Sequence, residues 1–223
     1  MQHKRRVIVV VGGMLLKDEQ TGKFRTSTLV DHDNPFGMFG DDLRGFAAAL
    51  MYHEKRYGWR ESTTILILGG ITPLHKENPH APLLSSVIRQ ELEGWGVPSD
   101  EIEEIEMGDV GGTFQQLLHL QEKLPELKNS IELILLSNRY QIPRIEAMVF
   151  YIAELQKLRY CTKPALRFVA AEDVITEYMP EQAHDIAEAY DSPEMKHCFG
   201  RELNGALEIV RGTYKFPTKF PQR

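Results

Sequence analysis

The sequence predicts an α/β fold of the Rossmann-like, doubly wound kind: a mainly parallel five-stranded sheet with helices on both faces and extra helices at the C-terminal end. Three observations carry this. Short apolar runs recur at a steady interval along the 223 residues. Each run gives way to glycine or polar punctuation, and each is followed by a longer stretch with apolar residues at helical spacing. Such alternation implies right-handed crossovers, which set the strands side by side in one direction and cover both faces of the sheet.

The first run, VIVVVGG at 7–13, places Val and Ile on both faces of the pleat, as a buried parallel strand requires. The basic QHKRR ahead of it gives the opening the look of a signal peptide. Lys17, Asp18 and Glu19 follow without a small-residue cleavage site, however, and VIVVVGGMLL is too short to span a bilayer. A cytoplasmic protein without a membrane partner is therefore expected. A long loop, Lys17 to Gly40, comes next and carries the acidic triplet Asp31, His32 and Asp33; loops of this length are functional or mobile.

A helix is expected over 41–58, ending on Gly58, then a strand TILILGG at 64–70. The stretch 81–96 reads as a helix stopped by Gly96, with Val97-Pro98 beyond it. Strands are expected at 102–107, 131–137 and 165–171, and helices at 112–124 and 143–160. Two C-terminal helices, 181–190 and 193–210, precede an irregular tail. We read 1–223 as one domain, with a core over 1–171 and a helical extension and tail over 172–223.

Net charge is -6 and the isoelectric point near 5.8, with no Lys/Arg stripe interleaved with aromatics. That argues against a nucleic-acid partner and for a small molecule. Cys161 and Cys198 show no C-x-x-C or metal-ligand spacing and read as reduced, structural thiols.

Ligands of open α/β sheets bind beyond the carboxyl ends of the strands. The residues there are Gly12-Gly13, Gly69-Gly70, Asp109 through Thr113, and Ser137-Asn138. Paired glycines permit close backbone approach, and helix N-termini offer N–H groups to an anion. The same glycines also suit tight turns with no ligand, and Thr113 also suits a helix cap. Arg44 and Arg144 sit near helix starts, where a guanidinium can hold a carboxylate or phosphate or stand as a solvated charge. No G-x-G-x-x-G, P-loop or G-x-S-x-G occurs. His75 and His80 with Glu77, and the 31–33 triplet, have spacing that arises by chance, so no metal site is assigned.

Taken in order, strand-GG, Arg44 with Ala48, strand-GG, Gly96-Val97-Pro98, Glu106, Thr113, and Ser137-Asn138 with Tyr140 and Arg144 resemble the YdcF-like and SanA-like proteins, the domain of unknown function numbered 218. The resemblance covers roughly residues 7–171. Three positions depart from the family pattern: Leu84 stands at an acidic position, Gln115-Gln116 replaces Glu-Asn, and Gln141 replaces His. A general acid or base must change its protonation in use, which Gln and Leu cannot do. The resemblance and the residues together imply a site formed by Gly12, Gly13, Arg44, Gly69, Gly70, Thr113, Gln116, Ser137, Asn138 and Arg144. Its ligand is expected to be anionic or nucleotide-like, S-adenosylmethionine among the candidates. Two functions stay open: a transferase or hydrolase, and a catalytically silent binding or regulatory protein.

Overall fold

Aliphatic residues and threonine dominate the paired stretches 6–11 and 63–68, and this chemistry decides where the sheet lies. A computed structural model of the chain describes residues 5–31, 37–54, 63–105, 107, 112–161 and 164–215.

 

In the register that joins two of the three inner strands, Arg6–Val11 against Thr63–Leu68, Arg6 is the one exception. The elements in chain order are β1 (Arg5–Val11), β2 (Leu15–Lys17), β3 (Phe24–Thr26), α1 (Asp42–His53), β4 (Thr63–Leu68), α2 (Leu84–Gly94), β5 (Ile102–Ile105), α3 (Thr113–Lys123), β6 (Ser130–Ser137), α4 (Ile142–Tyr151), α5 (Gln156–Arg159), β7 (Ala165–Ala170), α6 (Ala171–Tyr178), α7 (Ala183–Asp191) and α8 (Pro193–Val210). Five strands form one parallel sheet in the order β5-β4-β1-β6-β7. The order reverses between β1 and β6, which is where such sheets open a crevice.

Because strand side chains alternate faces, β1 divides its valines and isoleucine between two cores. Val7, Val9 and Val11 join Leu66, Leu68, Leu133 and Leu135 against α3, α4 and α8. Ile8 and Val10 join Ile65, Ile67 and Leu136 against α1, α2 and α6. The doubly wound, parallel five-stranded architecture with extra C-terminal helices is thus present. Gly96 ends α2 with φ of 83°, a conformation open to glycine without a Cβ penalty. Gly58 lies outside the described residues, as do His32, Asp33, Glu106 and Asp109.

Four local expectations change. β1 and β4 stop at Val11 and Leu68, so both glycine pairs lie beyond the strands. The long loop contains the antiparallel hairpin β2–β3, closed by Asp18, whose carboxylate accepts from the N–H groups of Gln20 and Thr21. The expected helix 143–160 breaks after Tyr151, where Ile152 is extended. There Gln121 of α3 replaces the helical partners, donating to Glu154 O at 2.8 Å and accepting from Lys157 N at 3.0 Å. Finally, α6 begins directly after β7. Among the described residues no helix is long and apolar enough to cross a membrane.

Candidate functional site

A cleft of about 200 Å³ opens over the carboxyl ends of β1 and β4. Gly12 and Gly13 form its floor, Gly70 through Pro73 one wall, the first turn of α3 a second, and Arg144 with Met148 of α4 a third. Met14, Met38, Ile71, Phe114 and Tyr214 make much of the remaining lining apolar or aromatic. Arg144 is its one charged side chain among the described residues.

Packing sets the floor. A Cβ on Gly12 would lie 2.1 Å from the carbonyl oxygen of Leu68, and one on Gly13 would lie 2.1 Å from Cγ of Asp41. Neither position has room for a side chain. Gln116, reaching in from α3, accepts from Gly12 N–H at 3.0 Å and donates to Gly12 O at 3.3 Å. Its amide supplies both roles at once, which a carboxylate cannot. Thr113 is the first residue of α3; Gly112 holds the cap position, and no side chain caps this helix. Thr113 therefore faces the cleft rather than serving as the cap.

Of the ten predicted site residues, Gly12, Gly13, Gly70, Thr113, Gln116 and Arg144 line this cleft. Gly69, Arg44, Ser137 and Asn138 do not. Gly69 admits the start of α2: a Cβ there would lie 3.1 Å from Ser85 N. Arg44, expected to offer charge to a ligand, is 1% exposed and faces the interior. It donates to Val11 O at 2.7 Å, to Gln141 Oε1 at 3.1 Å and to Asn138 Oδ1, and it pairs with Asp41 at 2.5 Å. Ser137 also donates to Gln141 Oε1, at 3.0 Å.

Asn138, fully buried, donates to Gly40 O at 2.7 Å and to Glu172 at 3.1 Å. The physical reason for the correction is desolvation: a buried guanidinium or amide must find partners, and the surrounding carbonyls and carboxylates provide them. This network braces the cleft from behind. Asp41 closes it, accepting from Met14 N–H at 2.6 Å and Ser27 Oγ at 2.8 Å; burial pushes its carboxyl above the usual range, against the pull of Arg44.

Arg144 has a different environment. Its Nε lies 2.7 Å from Glu202 of α8, a carboxylate that burial shifts upward and Arg144 draws back. Among the described residues the terminal nitrogens of Arg144 form no hydrogen bond or ion pair, and the residue lines the cleft. Glu202, Glu172 and Asp41 went unread in the sequence because each sits in a helix or helix start with an ordinary polar pattern. His75 is buried and accepts from Thr72 N–H at 3.1 Å. Among the described residues no group of three or more His, Cys, Asp or Glu is arranged to hold a metal ion. Comparison with protein-family models, with curated proteins and with solved structures finds no match to this chain.

Proposed function

We propose that the chain is a divergent YdcF-like protein that binds an anionic, nucleotide-like small molecule in the cleft over β1 and β4. One observation carries the reading: a largely apolar cleft at the strand ends has Arg144 as its one charged wall among the described residues, with that guanidinium already oriented by Glu202. Such a lining suits a ligand with a planar or apolar body and an anionic group, and S-adenosylmethionine belongs to the panel of candidates through its nucleoside and carboxylate. Cys161 and Cys198 are not joined in a disulfide, which fits a reducing, cytoplasmic setting.

A second reading, a catalytically silent binding or regulatory protein, is favoured over a transferase or hydrolase by the same lining. No carboxylate, imidazole or thiol lines the cleft among the described residues. Gln141, at an ionisable position of the family pattern, holds Arg44, and Gln115, at the other, is an amide in the cleft lining, while Gln116 holds the backbone of Gly12. Proton transfer then lacks an agent there.

The test is a thermal-shift panel of nucleotides, sugar phosphates and S-adenosylmethionine, followed by calorimetry. A ligand at a hundredfold its dissociation constant stabilises by about 2.7 kcal/mol, roughly 5–10 °C for a chain of this size. Arg144→Ala weakens the anionic ligand by at least about tenfold. Unchanged affinity in that variant refutes the assignment. Recovery of intact ligand after long incubation selects the silent reading, whereas a new product selects the enzyme.

A further inference from the structure

Arg144 and Tyr214 line a second opening as well as the first, a groove of about 800 Å³ floored by α8. Its floor is one face of that helix: Lys196, His197, Gly200, Arg201, Asn204 and Glu208. At 1.5 Å per residue the span from 196 to 208 is roughly 18 Å, longer than a single phosphate or carboxylate fills. Gly205 allows the junction. A Cβ there would come within 3.2 Å of Arg144 Cδ and 3.6 Å of the Tyr214 ring, so both side chains lie between the two openings.

The charge distribution selects the kind of ligand. Glu202 is only 4% exposed and lies 2.7 Å from Arg144 Nε and 3.9 Å from Arg201 Nε, so its charge is compensated within the protein by two guanidinium groups beside it. Arg201 donates one terminal N–H to Gly37 O at 2.9 Å and a second contact to Cys198 from the same nitrogen, and among the described residues its other terminal nitrogen has no hydrogen-bond partner. Lys196 pairs with Asp191 at the exposed surface, a contact that an incoming anion replaces at little cost. The N-terminal end of α8, where Lys196 and His197 stand, is also the positive end of its dipole. Glu208, toward the other end, repels an anion. A chain of negative charge therefore runs from Arg144 toward Lys196.

We infer that this groove is a polyphosphate subsite continuing the first cleft across Arg144 and Tyr214, so that the ligand is a nucleotide-like molecule with two or more phosphates. The inference rests on the proposed reading of the first cleft for the ligand's body. Its test is calorimetric titration of the full chain with adenosine 5′-monophosphate, adenosine 5′-triphosphate and inorganic tripolyphosphate, repeated with Lys196→Glu and Lys196→Arg. Lys196 is exposed in the first turn of α8, where a carboxylate suits the helix, so both variants keep the fold.

Triphosphate is expected to bind at least about tenfold more tightly than monophosphate, and Lys196→Glu to remove that difference while Lys196→Arg retains it. Equal affinity for the two nucleotides, or a difference untouched by Lys196→Glu, overturns the subsite and leaves the first cleft standing. Tripolyphosphate binding that Lys196→Glu abolishes, with no nucleotide bound, supports the groove as a phosphate site and overturns the nucleotide-like body. Binding of none of the three overturns both.

Discussion

Gly13 and Asp41 show how a single residue position shapes the cleft. The three carboxyl atoms of Asp41 would lie 2.1 to 2.3 Å from a Cβ on Gly13, and that carboxylate is fixed by Met14 N–H, Ser27 and Arg44. Gly13→Ala therefore forces the carboxylate off its partners and is expected to lower stability by about 1–3 kcal/mol, as overpacking does. Urea denaturation reads the change, and a midpoint equal to that of the native chain speaks against this account. The glycine was legible in the sequence as a tight turn. Its partner was not, because Asp41 lies 28 positions on and looks like an ordinary acidic residue before a helix.

Among the elements, the junction of β6, α6 and α7 depends on Glu172. This buried carboxylate accepts from Asn138 Nδ2 at 3.1 Å, Arg139 N–H at 2.7 Å and Tyr190 OH at 2.5 Å, and so ties three elements to one point. Burial, together with the charge and hydrogen bond of the Glu172 carboxylate, pushes the Tyr190 phenol well above its ordinary range. Glu172→Ala removes an acceptor from all three donors, of which Asn138 Nδ2 keeps Gly40 O, and is expected to cost on the order of 3 kcal/mol, while Tyr190→Phe, which removes one bond to Glu172, costs about 1 kcal/mol. Equal losses in the two variants by chemical denaturation contradict a shared hub. The helices flanking this hub illustrate what pattern reading captures: apolar periodicity located α8, yet gave no sign that α6 starts at Ala171 or that α4 yields to α5 where Gln121 intrudes.

For the whole molecule, pH dependence follows from carboxyl groups that folding buries. Asp42, half-buried beside Asp41, is raised from 3.8 to about 7, chiefly by loss of solvation and then by the charge of Asp41. The folded chain thus holds a proton there that the unfolded chain has released, so this group's contribution to stability declines as pH rises from about 4 to about 7. Asp31 acts in the opposite sense: bonding to Arg25 lowers it to about 2, and its contribution is lost only as pH falls from about 4 toward 2. Asp42→Asn is expected to flatten the decline and to gain on the order of 2 kcal/mol at pH 8, with little change at pH 4. Guanidinium titrations at the two pH values measure this, and an undiminished slope in the variant removes Asp42 as its source.

Hydrophobic periodicity and turn chemistry act over a few residues, so the sequence by itself determined the alternation of strands with helices, the parallel sheet and the glycine-rich rim. Which polar groups face the cleft was decided by tertiary structure alone. Arg44 and Arg144 occupy similar places at helix starts, yet one is enclosed by Asp41, Asn138 and Gln141 while the other leans on Glu202 and lines the opening. Long-range partners make that difference: Asn138 lies 94 positions from Arg44. A buried charge goes wherever its partners stand, and no local pattern of residues records them.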